Sequence, residues 1–360
     1  MMTKQTRQAH FTRRAVLKAG VASAVWIGAA PSIIGSASAA EDNIVYVNTW
    51  GGTWTAAQRI AYFEPFTAKT GIQVKTAEPV SFAKLKAQVQ SNSYDWDITG
   101  LGAAEFLQAL GEGLLEPLDY TALNKANIPP QCIYKDAGVN SVVIGTNIVY
   151  RKDKFPNGGP QSWADFWDVK KFPGNRSLFN QPETALPFAL LADGVSKDKL
   201  YPLDLDRAFK SLDKIKPHIK VWWTQGNQSE QLIRDGEVDM IGMWNARAQV
   251  QMNQGVPLQM VWNEAQNSCG YWCVPKGTPR KKAAFKFMEF VIQPVGEAKF
   301  CEQLFYGPSN PASLQYLPKD VLALSPSTPE HEKAAFRLDA EWFGPRSAQI
   351  KERWAQWMAS

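Results

Sequence analysis

Short β-branched apolar runs alternate along this chain with longer segments of helical period, and that rhythm predicts an α/β architecture. Asn43–Val47, Gly71–Lys75 and Tyr94–Thr99 read as buried strands, with helices expected over about Thr55–Lys69 and Ser81–Ser91 between them. Phe82, Leu85 and Val89 fall on one face of the second helix. Val139–Tyr150 is longer and β-rich, as expected of a strand that crosses from one lobe to another. Beyond it Ser162 caps a helix, and Ser177–Leu191 holds a strand, the polar turn Asn180–Thr184 and an apolar helix. Leu205–Ile215 is an amphipathic helix, followed by the strand Val221–Thr224, the loop Gln225–Ser229 and a helix over Glu230–Asp235. Val256–Trp262 is β-like, Gly270–Gly277 reads as a return strand, Arg280–Ile292 as an amphipathic helix, and Pro329–Met358 as a partly polar helical tail. No internal repeat or low-complexity linker interrupts the series, which fits lobes joined by strands at two crossings.

Within this pattern Gly236–Gln249 organises the rest. A polar turn leads into the apolar run Met240–Met243, which stops at Trp244-Asn245-Ala246-Arg247. A buried strand would there present an indole and a guanidinium at its carboxyl end, where a helix begins. In open α/β sheets ligands bind outside the carboxyl ends of the strands. Taken alone, the tetrad reads as readily as a core tryptophan and a surface-paired arginine. Two glycine-rich turns also follow strands: Asn48–Trp54, with Gly51 and Gly52, and Gly100-Leu101-Gly102 ahead of Glu105. Neither has the glycine spacing of a dinucleotide site, so both are read as turns that face a cleft and no cofactor is expected.

The amino terminus changes how charge is read. Thr12-Arg13-Arg14-Ala15-Val16-Leu17-Lys18, an apolar run over Ala19–Ile34 and the small-x-small site Ala37-Ser38-Ala39 predict a cleaved twin-arginine signal peptide over residues 1–39. The mature protein is expected to be soluble and periplasmic, since no later stretch reaches the length of a spanning helix. Five of the 39 basic residues and none of the 34 acidic ones precede Glu41, so the net charge of +5 belongs to the leader. The remainder is neutral and has no basic stripe interleaved with aromatics, which excludes a nucleic-acid partner. Of the 14 tryptophans, several stand beside Gly, Asn, Gln and Thr, as in an aromatic-lined cleft, while most are expected in the core. Cys132, Cys269, Cys273 and Cys301 allow three pairings, among which the sequence does not choose. His218 and His331 are isolated, so no metal site is expected. Catalysis is not expected either, for there is no G-x-S-x-G or H-E-x-x-H and neither histidine lies in a polar turn.

A series of short motifs runs in order over nearly the whole mature chain. It comprises Phe63-x-x-Phe66-x3-Thr70-Gly71-Ile72-x-Val74, Ala83-Lys84-Leu85-Lys86, Tyr94-Asp95, Ser162–Trp167, Asp235–Asp239, Trp244-Asn245, Val274–Gly277 and Tyr306-x-x-Ser309-Asn310. Together these resemble the periplasmic solute-binding proteins of ABC importers, in particular the spermidine/putrescine-binding family. The resemblance implies a type II binding-protein fold: two α/β lobes, each a central mostly parallel sheet flanked by helices, joined by two crossing strands. Residues 40–143 and 270–312 would form lobe 1, and residues 144–269 and 313–360 lobe 2. It further implies a monomer that clamps a small solute by hinge closure and docks in its closed form on an inner-membrane permease.

The family pattern places cleft aromatics at Trp50, Trp244 and Tyr306. Polyamine binders need carboxylates for each ammonium, yet the usual acidic positions fall on Gln181 and Thr184, with Glu183 close by, and on Gly270 or Cys269. Relatives with Trp-Asn-x-Arg bind amino-acid-like carboxylates, such as γ-aminobutyrate. The expected ligand is therefore a small organic anion or weakly cationic amino-acid derivative. Arg247 would fork its carboxylate, Trp50, Trp244, Tyr271 and Tyr306 would pack its body, and Gly51, Gly52, Gly102, Gln181 and Gln228 would add polar contacts. The alternatives are a true polyamine binder and a secreted hydrolase; iron transport would call for an adjacent tyrosine pair, which the chain lacks.

Overall fold

A single sheet runs through both halves of the molecule, in the strand order β2-β1-β3-β9-β5-β8-β6-β7. The structure, a computed structural model, describes residues 43–360, so the signal-peptide reading lies outside the described residues. The strands are β1 (Ile44–Asn48), β2 (Gln73–Ala77), β3 (Ile98–Gly102), β4 (Ile133–Tyr134), β5 (Gly138–Arg151), β6 (Arg176–Phe179), β7 (Ile219–Trp223), β8 (Met240–Trp244), β9 (Leu258–Cys273) and β10 (Phe336–Arg337). β1 is parallel to β2 and β3 in one half, and β6 to β7 and β8 in the other. β9 closes the first half and β5 the second, each antiparallel to its neighbour. These two strands pair with one another from Gly138↔Cys273 to Arg151↔Leu258 and thereby join the halves. Register shifts between Asn140 and Val142 and between Thr146 and Ile148 bend the pair where it passes from one half to the other.

The helices that frame the carboxyl ends of the parallel strands are α1 (Gly52–Gln58), α2 (Ala103–Gly111), α3 (Pro182–Ala192), α4 (Gly226–Arg234), α5 (Asn245–Asn253) and α6 (Pro294–Leu304); α7 (Ser347–Ala359) closes the chain. The helix expected over Thr55–Lys69 is present but widens into a π turn at Arg59–Phe63, just ahead of Pro65. Pro65 has no N–H for the carbonyl four residues back, and the wider turn absorbs that loss. The two segments read as Val256–Trp262 and a return strand are one strand, β9. Its polar middle (Asn263, Glu264, Gln266, Asn267) hid the continuity, which pairing with β5 imposes. The stretch Gln225–Ser229, expected as a loop, is the first turn of α4: Ser229 Oγ donates to Gly226 O at 2.7 Å, and Gln228 Oε1 accepts from Thr224 N at 2.8 Å.

Each half has its own core. Val45, Val47, Phe66, Ile98, Phe285 and Phe300 fill the first half, and Trp163, Phe166, Leu178, Leu186, Phe188 and Leu212 the second. An ion pair with a fully buried acid braces the first: Asp97 accepts from the partly buried Arg280 through Nε at 2.7 Å, from Tyr46 N at 2.8 Å and from Thr278 Oγ1 at 2.5 Å. The tail touches both halves. β10 pairs with β9, Ala340 joins the cluster of Phe106 and Leu101, and Ile350 and Trp354 of α7 pack with the second core. All four cysteines are free thiols. No helix among the described residues is long and apolar enough to cross a membrane.

Candidate functional site

The carboxyl ends of β1, β3, β6, β7 and β8 converge between the halves, and the turns that leave them carry most of the residues singled out by sequence. At the end of β1, Asn48 is buried and fixed from three sides: Nδ2 donates to Ala77 O at 2.9 Å and Pro79 O at 3.1 Å, and Oδ1 accepts from Thr99 Oγ1 at 2.9 Å. The turn that follows holds Trp50 with 49% of its surface exposed. Gly51 and Gly52 both adopt positive φ, 90° and 58°, which a side chain would strain. A Cβ on Gly51 would also lie 2.9 Å from Glu78 Oε2, so an acid absent from the sequence expectation stands beside this turn.

The opposite wall is built by β8 and α5. Trp244 ends β8 half-buried, edge-on to Phe179 (centroids 5.4 Å) and to Trp223 (5.3 Å), which are themselves stacked at 4.1 Å. One helical turn later Arg247 donates from Nη1 to Glu230 Oε1 on α4 at 2.8 Å. Gln251 Nε2 reaches the other oxygen of Glu230 at 3.3 Å. Arg247 Nε is buried and has no partner. Gly226, at the start of α4, lets both side chains lie close: a Cβ there would be 3.0 Å from Arg247 Nε and 3.0 Å from Trp244 Cζ3.

Tyr306 comes from the first half and is 7% exposed, packed at 5.5 Å on Trp54, which is in turn edge-on to Phe300 at 5.0 Å. Burial raises the pKa of its phenol; Arg247 opposes the rise and Glu230 adds to it, so the three groups lie within electrostatic reach of one another. The structure thus brings Trp244, Arg247 and Tyr306 together, with Glu230, Trp54 and Gly226 as neighbours that sequence reasoning missed. Glu230 left no local signal, because a strand and a turn separate it from Arg247. Trp54 had one, four residues after Trp50 at the start of a helix.

Other expected residues are placed differently. Tyr271 is 8% exposed, stacked on Tyr134 at 4.8 Å and near Phe106 at 5.0 Å, in the cluster that also holds Leu101. Its side chain takes the core face of β9, a choice that the aromatic residue alone does not reveal. Gln228 spends its carbonyl on Thr224 N, as a cap within the helix. Gly270 stands where an acid is expected in relatives, and a Cβ there would lie 2.7 Å from Ser141 Oγ, so the serine hydroxyl would have to shift to admit a side chain. Gly102 ends β3 opposite Gly270 and precedes α2, and Gln181 precedes α3. Glu183, in the first turn of α3, has one oxygen 3.5 Å from Lys351 Nζ of α7 and the other buried without a partner. Burial holds Glu105 above the usual carboxylate range, with Lys351 opposing and Glu183 adding to the shift, so this second polar cluster draws on both halves and the tail.

Comparison with known proteins places the chain in one family. The profile of the bacterial extracellular solute-binding proteins matches residues 61–330. A γ-aminobutyric acid-binding protein of Pseudomonas aeruginosa is 36% identical over 333 residues, 90% of this chain and 93% of that protein. The spermidine/putrescine-binding periplasmic protein of Escherichia coli is 24% identical over 303 residues, 79% of this chain and 83% of its own. Among solved structures, an ABC transporter substrate-binding protein from Bradyrhizobium japonicum superposes with a TM-score of 0.84 at 36% identity, over 88% of this chain and 99% of that one.

Proposed function

The chain belongs to the bacterial extracellular solute-binding protein family and is the substrate-binding component of an ABC transporter, and we propose that its ligand is a small amino-acid derivative whose carboxylate is taken by Arg247. The observation that carries this reading is the state of the guanidinium. Glu230 holds it through Nη1, which leaves the Nε–Nη2 edge, with Nε buried and unpartnered beside Trp244. That edge matches a carboxylate, which accepts two parallel N–H bonds. Glu230 also balances the arginine charge, so an incoming carboxylate leaves the site net negative. A cationic group elsewhere on the ligand offsets this, and the choice between anion and amino-acid derivative narrows to the second. The 36% identical relative named for γ-aminobutyric acid supports the same class. A polyamine would set ammonium groups against Arg247 and find no carboxylate at Gln181, Thr184 or Gly270.

Members of this family bind a small ligand and dock to a membrane permease. We read this chain as a monomer that docks with its cleft closed, exported to the periplasm by the twin-arginine signal over residues 1–39. No catalytic step is proposed.

A thermal-shift panel of γ-aminobutyrate, butyrate, putrescine and spermidine on the mature protein tests the ligand class. A ligand at 100 times its Kd adds about 2.7 kcal/mol, roughly several degrees. The reading predicts a shift with γ-aminobutyrate and none with the polyamines. A shift with putrescine or spermidine alone contradicts it.

A further inference from the structure

The tetrad Trp244–Arg247 belongs to both halves at once. Trp244 packs on Phe179 and Trp223 of the second half, whereas Ala246, 3% exposed, lies in the first core with Phe300 and Tyr306. Asn245 stands between them, 1% exposed, and its amide makes two long-range hydrogen bonds. Oδ1 accepts from Gly145 N in the bend of β5 at 3.0 Å, and Nδ2 donates to Phe305 O at 2.7 Å. Phe305 ends α6 in the left-handed region, with φ 58°, and Tyr306 follows it. The same segment is tied to β5 once more, where Gly307 and Val143 exchange both backbone hydrogen bonds at 2.9 and 2.8 Å. Its far end rests on buried Glu297, which accepts from Ser309 N, Asn310 N and the hydroxyls of Ser309 and Ser313.

We propose that Asn245 is a positioning residue of the binding site: its amide fastens the Tyr306 turn to the helix that carries Arg247, across the bend of the crossing strand. Arg247 and Tyr306, from opposite halves, then move with the crossing strand as one unit while the rest of the cleft opens and closes around them. Only a planar amide serves both bonds. An aspartate keeps the acceptor for Gly145 N but sets an oxygen against the Phe305 carbonyl, and an aliphatic residue leaves the buried Gly145 N and the partly buried Phe305 carbonyl without this partner. The position of the turn needs no ligand. The consequence for affinity rests on the reading of Arg247 as the carboxylate holder.

The test separates the two. Spin labels on Lys84→Cys and Lys210→Cys, exposed positions in the first and second halves, report the inter-half distance in ligand-free mature protein, in a Cys269→Ser background. Asn245→Asp is expected to broaden or shift that distribution. It is also expected to weaken γ-aminobutyrate by about tenfold, mainly through slower association because the site is no longer assembled beforehand, with the distribution regained at saturating γ-aminobutyrate. A purely structural role would lower the melting temperature and leave the affinity of the folded fraction alone. If wild type does not bind γ-aminobutyrate, the ligand reading fails and the ligand-free distances still decide for or against Asn245. An unchanged distribution in Asn245→Asp overturns the proposal. Should that variant not fold, Asn245→Ser, which retains one donor and one acceptor on a shorter arm, is read against the same criterion.

Discussion

Replacing Gly226 by alanine separates the stability of the fold from the placement of Arg247. The glycine shows no positive φ, so alanine fits its backbone, and in the first turn of α4 it would raise helix propensity by up to about 1 kcal/mol. Its methyl, however, would lie 3.0 Å from Trp244 Cζ3 and 3.0 Å from Arg247 Nε, where ordinary contacts fall at about 3.5–4.0 Å. Trp244 is braced by Phe179 and Trp223, so the arginine is the side chain that gives, by roughly 0.5 Å. A fork between guanidinium and carboxylate depends on distance and coplanarity, and a displacement of this size should cost about 1 kcal/mol, or roughly fivefold in Kd. Titration calorimetry with γ-aminobutyrate gives the affinity, and urea denaturation of ligand-free protein gives the stability. The expected pair of results is weaker binding with stability unchanged or slightly raised. Unaltered affinity would mean that the Nε edge of Arg247 does not face the ligand.

Two further perturbations probe the scaffold. Asp97→Ala removes the fully buried acid of the pair and leaves the partly buried Arg280 unpaired, so the urea midpoint should fall by the equivalent of about 3 kcal/mol while γ-aminobutyrate affinity of the folded protein is retained. Burial raises the Glu297 carboxyl to about 7 from its ordinary 4.5. The folded state therefore holds this proton more tightly than the unfolded chain. Its contribution is present below pH 4.5 and lost as pH rises through about 7, at about 1.4 kcal/mol per pH unit. Glu297→Gln should flatten that slope in urea titrations at a series of pH values, and an equally steep slope in the variant would assign it to other groups.

Much of the scaffold was legible because local chemistry and tertiary packing agree. The apolar runs at Ile44–Val47 and Met240–Met243 are strands, and Ser81 and Ser162 cap their helices, accepting from Lys84 N and Asp165 N at 3.3 and 3.1 Å. The crossing strand β5 was visible in its β-branched residues. Its partner β9 was visible only at its two ends, because the bend between the halves is lined by buried polar groups such as Thr146, Asn147, Gln266 and Asn267. In the site, Trp244, Arg247 and Tyr306 could be picked out, since each follows a strand or a helix end. What could not be read was which face each neighbour takes. Tyr271 and Trp272 are adjacent aromatics on β9, and only the pairing with β5 and β3 decides that Tyr271 stacks on Tyr134. Glu230 was hidden for a related reason: its contact with Arg247 arises from the packing of α4 on α5, which no spacing rule encodes. Its charge changes the ligand expected, from an anion alone to one with a cationic group as well.

The most direct test of this account is calorimetric titration of γ-aminobutyrate into mature wild type and Arg247→Ala. Truncating a charged partner in a desolvated, hydrogen-bonded pair costs about 2–4 kcal/mol, which corresponds to roughly 30- to 1000-fold in Kd. The account predicts saturable binding to wild type and a loss of that size in the variant, with Arg247→Lys only partly restoring it because an ammonium cannot fork a carboxylate. Binding to Arg247→Ala with wild-type affinity would show that the carboxylate is held elsewhere in the cleft.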